Sequence, residues 1–127
     1  MPTALIILAA GQGTRMNSDL PKVLHQIAGA PLLAHAMQAA GALAPERVVV
    51  VAGHGADAVE AAARDYDPEA VVVQQEEQLG TAHAVAQARE ALAGFEGDAV
   101  VLYGDTPFIR PETLEAMAAA RSAHDVV

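Results

Sequence analysis

Apolar residues along this chain come in two rhythms that alternate. Nearly unbroken apolar, β-branched runs occur at Thr3–Ala9, Arg47–Ala52, Ala70–Gln75 and Asp98–Tyr103. Such runs lack the polar-every-second-residue pattern of a half-exposed strand, and they suit strands covered on both faces, as in a parallel sheet. Between them lie stretches with helix signals. Pro31–Ala40 opens on proline and is followed by Gly41. Ala56–Arg64 is short and alanine-rich. Thr81–Ala93 has Thr81 as a candidate N-cap and Gly94 beyond its end. Pro111–His124 begins Pro-Glu, which sets an acid at the positive end of the helix dipole. The order β-loop-α-β-α-β-α-β-α predicts an α/β fold with a mostly parallel sheet and right-handed crossovers. Asp125-Val126-Val127 reads as the opening of a fifth strand with no continuation, so a truncated domain is expected. No repeat or linker divides the chain, and residues 1–127 are expected to form one domain or part of one.

Composition narrows the function classes. Net charge is −9, with only seven lysines and arginines. Such a surface repels phosphate backbones and argues against nucleic acid as a partner. Cysteine is absent, which excludes disulfides, thiol nucleophiles and Cys-based metal sites. The apolar run at Met1–Ala10 has no basic region before it and is too short to span a bilayer. A cytoplasmic protein without a membrane partner is expected.

Chemistry concentrates in residues 8–25, LAAGQGTRMNSDLPKVLH. A strand empties into Gly11-Gln12-Gly13, where backbone N–H groups can reach phosphate oxygens. Arg15 follows, and then Lys22, the only lysine of the chain. A tight turn that needs positive φ would place glycines there equally well, and either cation could be a solvated surface charge. Three phosphate-loop classes compete. The Walker A loop and the dinucleotide fingerprint both require a glycine where Met16 stands. The dinucleotide fold also needs an acid near the end of the second strand, and that strand ends Val51-Ala52-Gly53-His54.

The third class is the sugar nucleotidyltransferase loop. LAAGQGTRM with PKVLH, the stretch QEEQLGTAHA at 75–84, and Leu102-Tyr103-Gly104-Asp105 occur in order along the chain. Together they resemble the N-terminal part of the uridylyltransferase domain of bifunctional UDP-N-acetylglucosamine pyrophosphorylase/glucosamine-1-phosphate acetyltransferases. The resemblance covers essentially the whole chain. It implies a Rossmann-like three-layer nucleotidyltransferase fold. It also implies an enzyme of peptidoglycan precursor synthesis that takes UTP and N-acetylglucosamine 1-phosphate with Mg²⁺.

The resemblance also implies roles for residues. Leu8, Ala9, Ala10, Gly11 and Gly13 would meet base, ribose and phosphates. Arg15 and Lys22 would be the catalytic cations at the reacting phosphates. Gln75, Gly80 and Thr81 would read the base, although Thr81 could also simply cap its helix. Tyr103 and Gly104 would line the sugar-nucleotide pocket. Asp105 would bind both substrate and magnesium, the alternative being an aspartate that starts the Asp105-Thr106-Pro107 turn. His25 and His83 lie inside these motifs, but packing or local hydrogen bonds account for both. The family's second metal ligand, its sugar pocket and its β-helical acetyltransferase domain would all lie beyond residue 127. A nucleotide-binding fragment without turnover, or a nucleotidyltransferase with another base or sugar, is therefore the competing reading. Dimerisation through the open edge of an unfinished sheet is a further expectation.

Overall fold

The computed structural model describes residues 2–10, 21–77, 79–106 and 108–127. Four apolar runs form the expected parallel sheet: β1 (Thr3–Ala9), β4 (Arg47–Ala52), β5 (Val71–Gln74) and β6 (Asp98–Tyr103). Their spatial order is β5-β4-β1-β6, with every pairing parallel. The four helices are α1 (Leu32–Ala40), α2 (Ala56–Tyr66), α3 (Thr81–Ala86) and α4 (Pro111–Ala120). Two short strands, β2 (Gln26–Ile27) and β3 (Ala30–Pro31), make a separate hairpin.

Strand alternation divides the core into two halves, which gives three layers. Leu5, Ile7 and Ala9 of β1, with Val50 and Ala52 of β4, face Leu33 and Met37 of α1, Val59 and Ala63 of α2, and Leu114 of α4. Ile6 and Leu8, with Val49 and Val51, face Ala84 and Ala88 on the α3 side. Burying one such aliphatic side chain is worth about 1.5–3 kcal/mol. The exposed Glu60–Arg64 pair on α2, 2.9 Å apart, contributes about 0.3–0.5 kcal/mol. Apolar burial on both faces, rather than surface charge, therefore holds the sheet.

Several boundaries differ from the sequence expectation for physical reasons. The third strand covers only Val71–Gln74, and Gln75 lies just past its end, still donating its N–H to the Ala52 carbonyl at 2.7 Å. Pro31 is extended and pairs with Gln26, so α1 starts one residue later. That hairpin turns at Ala28 and Gly29, both at positive φ. An alanine in the first of these positions gives no turn signal of the Asn-Gly kind. Gly41 does not end α1 in a left-handed conformation. It stays right-handed at φ −57° and leads a further 3-10 turn that ends at Ala44, φ 46°. Helix α3 stops at Ala86, and the chain runs on to Gly94 in turns bonded largely three residues apart. Ala88, Ala91 and Leu92 still pack on the sheet through this tighter winding. Helix α4 ends at Ala120 in the same way. Asp125–Val127 forms no strand; these residues lie beside the outer edge of β6, in a groove with Val101, Leu114 and Met117.

Candidate functional site

The chain leaves β1 toward β4 and β5, then returns to the other side of β1 as β6. Open α/β sheets bind ligands where neighbouring strands diverge in this way, outside their C-terminal ends. At the ends of β1 and β6 there is a cleft of about 340 Å³. Leu8, Ala10, Lys22, Gln75, Gly80, Thr81, Tyr103 and Asp105 line it, from four separate stretches of the chain. Val23 and Ala84, which sequence reasoning did not single out, complete the wall. Ala9 is not part of it. Strand alternation turns its side chain, 1% exposed, into the core on the opposite face from Leu8. Gly11, Gly13 and Arg15 lie outside the described residues.

Gly104 works behind the wall rather than in it. Its N–H donates to the Leu8 carbonyl at 2.9 Å, which ties the ends of β6 and β1 together. A Cβ at this position would stand 3.0 Å from Val23 Cγ1 and 3.2 Å from the Leu8 carbonyl oxygen, so only glycine fits comfortably.

Lys22 opens a 3-10 turn, Lys22–Leu24, whose Val23 and Leu24 are buried. Pro21 before it is also buried and packs on Gly55 at the start of α2. That anchor aims the lysine across the cleft, where its Nζ lies 2.8 Å from Asp105 Oδ2. Both side chains remain partly exposed, at 36% and 27%, so a ligand can reach them. The turn after β6 closes on Tyr103, whose carbonyl accepts from Thr106 N–H at 3.3 Å and Thr106 Oγ1 at 2.9 Å. The Asp105 carboxylate is thus turned to the lysine, and the threonine makes the side-chain bond of that turn.

Opposite lies Gln75, 3% exposed and the one buried polar side chain among the described residues. Its Nε2 lies 3.3 Å from the Gly80 carbonyl and 2.8 Å from His83 Nδ1. Gly80 has φ 102° and ψ 177°, a region essentially restricted to glycine, with no atom within 4 Å of a hypothetical Cβ. This backbone directs its carbonyl to both Gln75 and the N–H of Ala84, which it meets at 3.0 Å. Gly80 is also the N-cap of α3, so Thr81 is the first helical residue and makes no capping bond. His25, expected to be explained by packing or local bonds, has a buried Nε2 that finds no hydrogen-bond partner among the described residues.

Among the described residues no three His, Asp or Glu side chains gather as a metal cage. Among the described residues one carboxylate, Asp105, lines the cleft beside Lys22. That donor set suits a small hard cation that shares its coordination with ligand phosphates and water.

Parallels in sequence and in shape agree on a class. The "Bifunctional protein GlmU" of Ruegeria pomeroyi is 72% identical over 127 residues, which is all of this chain and 28% of that protein. The crystal structure of Rv0371c from Mycobacterium tuberculosis H37Rv, in complex with manganese, superposes with a TM-score of 0.73 at 25% identity, covering 97% of this chain and 61% of that one. UDP-glucose pyrophosphorylase in complex with UDP-glucose shares the fold, with a TM-score of 0.77 at 24% identity over 97% of this chain and 54% of its own. This chain therefore spans little more than a quarter of its GlmU relative. The MobA-like NTP transferase domain model matches residues 5–127, and the chain belongs to that family.

Proposed function

We propose that these residues are the nucleotide-binding part of a uridylyltransferase that converts UTP and N-acetylglucosamine 1-phosphate to UDP-N-acetylglucosamine and pyrophosphate. The observation that carries this reading is the convergence on one cleft of Lys22, Asp105 and the Gln75–Gly80 pair. A cation and a carboxylate stand on one side, and a buried amide reader on the other. The 72% identity to a GlmU protein supports the choice of sugar.

A phosphate oxygen of the sugar would attack the α-phosphorus in line, with pyrophosphate leaving on the opposite side. No covalent enzyme intermediate is needed. Catalysis is then positioning plus charge neutralisation. Lys22 neutralises the α-phosphate as charge builds on it, and Arg15 holds the triphosphate through its forked donors. The backbone from Leu8 to Gly13 cradles phosphate and nucleoside, with Thr81 and Tyr103 flanking base and sugar. Asp105 would hold Mg²⁺, which when bound draws charge from the phosphates. Replacement of Asp105 by alanine is expected to shift the magnesium titration of activity to higher concentration, and superimposable titrations would refute ligation. The reaction belongs to the cytoplasm, where its nucleotide substrate is made. The outer edge of β6, where Asp125–Val127 lie alongside without forming a strand, is the surface through which two copies would pair.

The direct test uses a hybrid in which these 127 residues replace their counterpart in the Ruegeria pomeroyi protein. Pyrophosphate release that requires both UTP and N-acetylglucosamine 1-phosphate is expected. An inert hybrid beside an active parent would overturn the reading. A second reading takes these 127 residues, 28% of the GlmU relative's length, as a part that binds nucleotide without turnover by itself. UDP-sugar synthesis by the 127 residues alone would exclude it.

A further inference from the structure

His83 lies between two glutamine amides. Its Nδ1 is 2.8 Å from Gln75 Nε2, and its Nε2 is 3.3 Å from Gln87 Nε2. A neutral imidazole has one acceptor nitrogen and one N–H, so it cannot accept from both amides. Two facts decide between them. The Gln75 contact is the shorter and belongs to a buried side chain, while Gln87 is half-exposed and also meets the His83 carbonyl at 3.2 Å. Gln75 Nε2 also faces the Gly80 carbonyl, which can only accept. Turning the Gln75 amide over would set its oxygen against that carbonyl. Both hydrogens of the Gln75 amide are thereby committed, one to Gly80 and one to His83 Nδ1, and the imidazole carries its proton on Nε2, which requires the half-exposed Gln87 amide to turn its oxygen to the ring.

We propose that His83 is a positioning residue that sets the pyrimidine preference of the site by fixing the orientation of the Gln75 amide. With its NH₂ held from behind, Gln75 offers the cleft only Oε1, an acceptor. Uracil presents N3–H, a donor, and pairs with it. Cytosine presents a lone pair at N3 and is repelled. Sites built on a directed hydrogen bond reject the analogue of wrong polarity much more strongly than a shape-only pocket does. Without His83, the amide keeps only the 3.3 Å contact with Gly80, and its reversed state, which suits cytosine, becomes accessible. This inference rests on the uridine reading above and names the residue behind it.

The test measures kcat/KM for UTP and CTP in the hybrid, beside His83→Ala and His83→Asn. Asparagine places Oδ1, an acceptor, about where Nδ1 stands. His83→Ala is expected to lower the UTP-over-CTP ratio tenfold or more, chiefly through a higher KM for UTP, and His83→Asn to restore it. An equal loss with both nucleotides, or an unchanged ratio, overturns the proposal. Imidazole ¹⁵N spectra of the 127-residue chain supply a readout free of turnover. A proton on Nε2 is expected for His83, and a proton on Nδ1 overturns the assignment even if an alanine variant fails to fold. A parent hybrid that shows no preference for UTP would instead refute the uridine reading, with the Nε2–H signal still testing the His83–Gln75 geometry.

Discussion

Lys22→Ala in the hybrid is expected to lower kcat about a hundred-fold to a thousand-fold, the usual effect of removing one pre-aimed donor to developing phosphate charge. KM for UTP should change far less, because the proposed base contacts, at Gln75 and Gly80, belong to other residues of the cleft. Arginine should not rescue it. A planar fork cannot take the place of a compact ammonium held 2.8 Å from Asp105. Lys22 is the only lysine among these 127 residues, so none of them supplies a substitute ammonium. Steady-state kinetics at saturating UTP and Mg²⁺ provide the check. A fall in kcat/KM caused entirely by KM would make Lys22 a binding residue only.

Gly55→Ala is expected to act at a distance on the same lysine. Its φ of 74° is left-handed, yet Ala28 and Ala44 already adopt positive φ in this chain, so that backbone is tolerable for alanine. The obstacle is contact. A Cβ on Gly55 would lie 2.6 Å from Cγ of Pro21. Conformational strain of about 1 kcal/mol and overpacking of about 1–3 kcal/mol together predict a loss of about 2–4 kcal/mol. The ring of Pro21 must move, and Lys22 is the next residue. Turnover of the hybrid should therefore fall along with stability. Urea denaturation of the chain measures the first effect and kcat the second. In a Pro21→Ala background the cost of Gly55→Ala should drop to about 1 kcal/mol, because two contacting residues are not additive. Additive losses would show that Pro21 does not transmit the strain.

Much of this was legible from the sequence because it depends on periodicity. Val48–Val51 and Leu5–Leu8 read as doubly covered strands, and both are buried from two sides. The cleft residues Lys22, Gln75, Gly80 and Asp105 could be named in advance because each sits in a recognisable motif. Their arrangement was less accessible. Ala9 was grouped with Leu8 and Ala10, although strand alternation sends it to the other face. The Ala28–Gly29 turn lacked a turn-forming first residue, and the more tightly wound stretch after Ala86 has the composition of a continuous helix. Pro21 against Gly55 and His83 against Gln75 join residues 34 and 8 positions apart. Only the tertiary path brings the first pair together, and a histidine on a short helix gives no sign of what it faces.

Gly55, Gly80 and Gly104, in or behind the cleft, should leave distinct marks in a saturation substitution scan. At Gly80 the penalty comes from backbone dihedrals alone, with open space where a side chain would go. Alanine, asparagine and phenylalanine should therefore be penalised nearly alike, because the left-handed helical tolerance of asparagine does not extend to this region. At Gly104 the constraint is volume between Val23 and the end of β1, so the penalty should rise steeply with each added heavy atom. Gly55 should show both signatures, and only its volume-dependent part should relax when residue 21 is made smaller. The same residue type thus encodes torsion, space or both, and the shape of each tolerance profile identifies which one the fold requires at that point.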